Sequence, residues 1–191
     1  MILNEHYNFN RDAPADVKSA FKFPPQRVLL EPPEKLYRIL TPAAVAEVKD
    51  KASGTNPKVD PNEVGSWWMT GKIFGQIINA SKQYGQNLSE IVRSRMAISL
   101  DFSSTMNALC IVELKRGVYA FEGLAAPQPL VQKDPTVMLI GNGEQVWIPQ
   151  MSWKDVFVVR FLNSFDPINL ADLSPHLTVT LGDLLRAKQN R

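Results

Sequence analysis

The sequence predicts an α+β domain built on a mostly antiparallel sheet. Two observations carry this reading. Between Thr41 and Met96 the apolar residues fall at helical spacing behind capping residues, whereas from Asn107 onward short apolar and β-branched stretches recur between turn signals. Helices in the N-terminal half and strands later, without regular alternation, speak against a parallel βαβ sheet. A chain of 191 residues with 45% apolar content buries one good core, so a single body is expected.

Residues 1–35 read as a Pro-rich N-terminal arm. Pro14, Pro24, Pro25, Pro32 and Pro33 stand among polar residues, and Phe21, Phe23, Val28, Leu29 and Leu30 form no long periodic stretch. Such a segment has enough apolar anchors to dock on a body and too few to fold alone. The α+β domain, residues 36–191, opens with a strand at Leu36–Leu40. Thr41 caps a helix that takes Pro42 at its first position, where a missing N–H costs nothing, and ends near Ala52. Ser53–Glu63 is a connection.

Ile73, Phe74, Ile77 and Ile78 form one apolar stripe on a helix from Lys72 to Tyr84, with Gly85 at its end. Asn87 and Glu90 stand as a capping box before a second helix bearing Ile91, Val92 and Met96. Strands follow at Leu109–Leu114, Val118–Leu124, Val137–Ile140, Gln145–Ile148 and Val156–Leu162, with Lys115-Arg116-Gly117 turning the first into the second. A last strand at Leu177–Val179 and a helix at Leu181–Lys188, capped by Thr180 and Asp183, close the chain.

Composition excludes several functions. The formal charge is +2 and the basic residues are dispersed, so there is no footprint for DNA or RNA. No apolar run approaches the ~20 residues that span a bilayer. Met1–Arg11 lacks the layout of a cleavable signal, so the expected location is cytoplasmic, or outside the cell by a route needing no such signal. His6 and His176 lie far apart without a cysteine cluster, and no metal site is expected. Cys110, inside an apolar strand, reads as a buried inert thiol. Nucleophile elbows and glycine-rich phosphate loops are absent from the sequence.

Chemistry is therefore sought in polar residues that a core does not explain. Arg38 shares a strand face with Leu36 and Leu40, and a guanidinium there needs an anion, a ligand's or an acidic side chain's, or several carbonyl partners. Trp67 and Trp68 point to opposite faces of a strand, as two core anchors or as one anchor and one cleft ring, with hydroxyls at Ser66 and Thr70. In the strand before Pro149, Glu144, Val146 and Ile148 share one face, and Gln145 and Trp147 the other. Alternation sends Gln145 to a cleft, unless a bulge at Gly141-Asn142-Gly143 rotates Glu144 there instead.

Leu36-Tyr37-Arg38, Ser66-Trp67-Trp68-Met69-Thr70 and Gly143-Glu144-Gln145-Val146-Trp147-Ile148-Pro149, in this order, resemble the three motifs of the ADP-ribosyltransferase superfamily. The likeness covers roughly Lys35 to Leu162. It implies that fold, NAD as the substrate, and Arg38 with Tyr37 on the dinucleotide's phosphates and ribose. It also implies Trp67 or Trp68 stacking beside Ser66 and Thr70. The catalytic glutamate of the family often opens Glu-x-x-x-Pro; counting back from Pro149 gives Gln145, with Glu144 one position earlier. Glutamine bonds a hydroxyl but brings no negative charge. The activity implied is ADP-ribose transfer to a macromolecular acceptor or, with water in its place, NAD glycohydrolysis. The setting implied is a bacterial toxin or effector held by a cognate inhibitor protein. The alternative is a noncatalytic protein-interaction module that kept the fold and holds a partner through its arm, Phe21 and Phe23.

Overall fold

The computed structural model describes residues 1–41, 66–101, 106 and 108–162. Two short helices come first, α1 (Phe9–Asp12) and α2 (Ala15–Ser19), followed by strands β1 (Gln26–Leu30), β2 (Lys35–Leu40) and β3 (Trp67–Thr70). Helices α3 (Gly71–Tyr84) and α4 (Leu88–Met96) follow. Strands β4 (Ala108–Leu114), β5 (Val118–Leu124), β6 (Gln128–Val131), β7 (Asp134–Leu139), β8 (Glu144–Trp147) and β9 (Val156–Leu162) complete the described chain. The fold is α+β: among the described residues there are four α-helices and a seven-stranded antiparallel sheet in the order β1-β5-β8-β3-β2-β4-β9, beside the β6-β7 hairpin. The helix expected from Pro42 to Ala52, the Ser53–Glu63 connection and the elements expected from Leu177 onward lie outside the described residues.

Local chemistry sets the helices. Thr70 caps α3 by accepting from the Ile73 N–H at 3.4 Å, and the helix stops at Gly85, whose φ of 62° is left-handed. Its apolar stripe, Ile73, Phe74, Ile77 and Ile78, is buried, and Phe74 stacks on Tyr37 of β2 with ring centroids 4.5 Å apart. Asn87 caps α4 by accepting from Ser89 N at 2.8 Å. The principal core joins these helices to β2, β4 and β8, where Leu36, Leu109, Ile111, Val112 and Val146 are wholly buried.

The first 35 residues differ from the expected arm. Strand β1 pairs with β5 from Gln26↔Glu122 to Leu30↔Val118, so a boundary at residue 35 would cut through the sheet. Flanking prolines and the half-exposed face of an edge strand hide β1 from a periodicity reading. Backbone hydrogen bonds tie the rest to β5 and its ends: Leu3 N to Gly117 O, Tyr119 N to Leu3 O and Lys22 N to Leu124 O, each 2.9 Å.

Ala13, Val17 and Phe21 form a second apolar cluster with Phe121 and Trp147, joined by Tyr7, Phe9 and Trp67. Gly123 admits the Phe21 ring, since a Cβ there would lie 2.9 Å from its Cδ1. Phe21 is therefore spent inside the domain, while Phe23 is exposed. Truncating a ring in such a cluster typically costs about 3 kcal/mol. Phe21→Ala should lower unfolding stability by about that amount in urea titrations, whereas Phe23→Ala should leave the midpoint nearly unchanged.

Candidate functional site

The central strand β3 divides its pairing. Trp67 and Trp68 oppose Trp147 and Val146 of β8, whereas Met69 and Thr70 oppose Tyr37 and Leu36 of β2. The β2–β3 ladder thus ends at Tyr37↔Met69, and Arg38 and Ile39 continue beyond it with β4 as their partner strand. A cavity of about 590 Å³ lies against these ends and is lined by residues of both faces. Arg38 and Trp68 come from one face; Tyr37, Ile39, Trp67 and Gln145 come from the other. Asp16, Val17, Ser19 and Ala20 supply a further wall. Met96, Ala97 and Ile98 at the end of α4, with Gln128 and Gln132 around β6, complete it.

Each polar group is positioned by its neighbours. The Arg38 guanidinium lies 5.9 Å from the centre of the Trp68 ring, within cation–π range. Trp67 packs on Phe21 with ring centroids 5.3 Å apart. Gln145 is 7% exposed, and its Nε2 donates to the Ala20 carbonyl at 2.9 Å. That acceptor fixes the amide orientation and leaves Oε1 without a hydrogen-bond partner among the described residues. Beside Arg38 on the adjoining strand, burial pushes the Cys110 thiol up to about 12, against the pull of the arginine charge.

Glu144, Ser66 and Thr70, singled out from the sequence, do not line the cavity. Glu144 opposes Leu124 in an unbroken ladder, so the turn at Gly141-Asn142-Gly143 does not rotate it toward Gln145's side. Its carboxylate meets Lys72 Nζ at 3.2 Å instead. Gly143 is held tightly enough that a Cβ would lie 2.7 Å from the Arg95 carbonyl oxygen. Ser66 contributes its backbone carbonyl, which accepts from Ile148 N at 2.8 Å, and the Thr70 hydroxyl is occupied as the α3 cap.

Sequence reasoning missed the wall from α2 and the glutamines around β6, which lack any periodic signal. It also missed a group of carboxylates on the Glu144 side. Glu122 and Glu34 both have raised pKa values, chiefly from burial; Lys72 opposes the rise at Glu122, and the Gly71 N–H opposes it at Glu34. Among the described residues, no group of three or more His, Cys, Asp or Glu is arranged to hold a metal ion. No described helix is long and apolar enough to cross a membrane.

No protein-family model matches the chain, and no curated protein does. A chain in the structure of Tne2 in complex with Tni2 is 11% identical, with a TM-score of 0.41, over 71% of this chain and 87% of that one. A likeness at that level identifies neither a family nor a function.

Two outcomes follow from these environments. A group whose folded pKa is raised holds its proton more tightly when folded, so stability falls as pH rises from the ordinary glutamate range through the folded value. Glu122→Gln should flatten that fall in melting temperature as pH rises above about 4.5. Cys110 should resist a thiol-specific reagent at neutral pH in the native protein and react at once after denaturation.

Proposed function

We propose that the cavity binds NAD and that the domain is an ADP-ribosyltransferase-like enzyme that breaks the dinucleotide's glycosidic bond. One observation carries the reading: Arg38, the Trp67-Trp68 pair and Gln145, from three distant segments of the chain, line the same cavity. Its volume of about 590 Å³ suits a small-molecule ligand.

In this reading the Arg38 guanidinium holds the pyrophosphate, for which a planar cation with several donors is well suited. Trp67, half-buried at the wall, offers a planar surface to a base. Gln145 Oε1 accepts from a ribose hydroxyl while Nε2 stays with Ala20. Tyr37, buried and stacked on Phe74, supports Arg38 through the strand. The ADP-ribose moiety passes to water or to a nucleophile on a macromolecular acceptor; the toxin or effector setting and a cognate inhibitor protein belong to the same proposal. The interaction-module alternative loses one of its two aromatic contacts, because Phe21 is buried within the domain itself.

Calorimetry with NAD, together with release of nicotinamide, tests the reading. Arg38→Ala should weaken NAD binding by about tenfold or more, the usual weight of a charged hydrogen bond. Glu144→Gln should bind NAD within about twofold of the wild type, since that carboxylate lies outside the cavity. No NAD binding by the wild-type protein would sink the proposal.

A further inference from the structure

The cavity wall carries a charge that none of the three motif segments supplies. Asp16 lies one helical turn before Ala20: its backbone carbonyl accepts from Ala20 N at 3.1 Å, and the Ala20 carbonyl is the acceptor that holds Gln145 Nε2 at 2.9 Å. Residues four apart share a helix face, and both Asp16 and Ala20 line the cavity. Among the described lining residues Asp16 is the sole carboxylate, as Arg38 is the sole cation. The Asp16 backbone carbonyl also accepts from Ser19 Oγ at 2.8 Å, whereas the carboxylate makes no hydrogen bond or ion pair with a described residue.

Resting on the reading of the cavity as an NAD site, we infer that Asp16 supplies the negative charge that Gln145 lacks, and is a catalytic residue of NAD cleavage contributed by the N-terminal segment. The bond between ribose C1′ and the nicotinamide nitrogen breaks, and its electron pair goes to the ring nitrogen and cancels the pyridinium charge. Positive charge moves to the ribose as an oxocarbenium. Gln145 Oε1 holds a ribose hydroxyl, and the Asp16 carboxylate faces the new cation, where a fixed opposite charge lowers the barrier. A water oxygen then bonds to C1′. Its proton passes to the carboxylate and on to solvent, leaving nicotinamide, ADP-ribose and one proton. The carboxylate expected at the strand before Pro149 is thereby replaced from the other side of the Gln145–Ala20 hydrogen bond.

The experiment compares wild type, Asp16→Asn, Asp16→Glu and Glu144→Gln in the full chain, measuring NAD affinity by calorimetry and turnover by nicotinamide release. Asp16→Asn should lower kcat by about tenfold or more, as loss of a partly screened charge near the reacting carbon requires, with the Kd for NAD within about twofold of the wild type. Asp16→Glu should recover part of the rate, and Glu144→Gln should turn over like the wild type. Because Asp16 is exposed, both Asp16 variants should melt with the wild type. Wild-type turnover by Asp16→Asn would overturn the role of Asp16 and leave the NAD site standing. Binding without turnover by the wild type would overturn the catalytic step, and no binding at all would overturn the NAD site along with it.

Discussion

Strand β3 is four residues long, and the fold depends on how it shares them. Its first two residues pair with β8 and its last two with β2, so the strand passes the sheet from one half to the other with almost no overlap. A longer β3 ladder would have bonded Arg38 and Ile39 along the edge and closed the gap between β2 and β8. The short one keeps the sheet continuous while leaving a recess at its centre. Two tryptophans suit this place because successive residues of a strand serve opposite faces: Trp67 joins the aromatic cluster under the N-terminal segment, and Trp68 joins the principal core.

The recess is finished by parts remote in sequence. The N-terminal segment closes one side, held by β1 pairing and by the Phe21 ring over Gly123. The end of α4 closes another, and there the backbone is fixed by the loop before β8: Gly141 N donates to Ser94 O at 3.0 Å and Gly143 N to Arg95 O at 2.8 Å. The same loop sets the start of β8 and hence the position of Gln145. A rigid framework thus presents the few polar groups of the cavity, and those groups owe their placement to packing and backbone hydrogen bonds.

Much of this was legible in the sequence where a period is unambiguous. The stripe of α3, the Asn87 cap and the limits of β5 and β9 follow from spacing and turn residues alone. Strand alternation also separates Gln145, which lines the cavity, from Glu144, whose carboxylate meets Lys72 on the opposite face. What escaped were elements defined by their partners. Strand β1 is an edge strand framed by prolines, and β6 contains Pro129; each is recognisable as a strand only once β5 or β7 lies beside it. Asp16 belongs to a five-residue helix whose sequence says nothing about the distant glutamine that its turn helps to hold.

The placement of β1 at the sheet edge also governs the order in which the chain acquires structure during synthesis. Its partner residues run from Val118 to Glu122, so β1 leaves the ribosome with its sheet partner still about ninety residues from being made. At roughly 5–20 residues per second, that interval lasts several seconds. Throughout it Val17 and Phe21, later buried against Phe121 and Trp147, remain in water. The segment bearing Val17 and Phe21 is made well before the strands that cover it, which makes the nascent chain a natural client for any holding factor that recognises short apolar stretches.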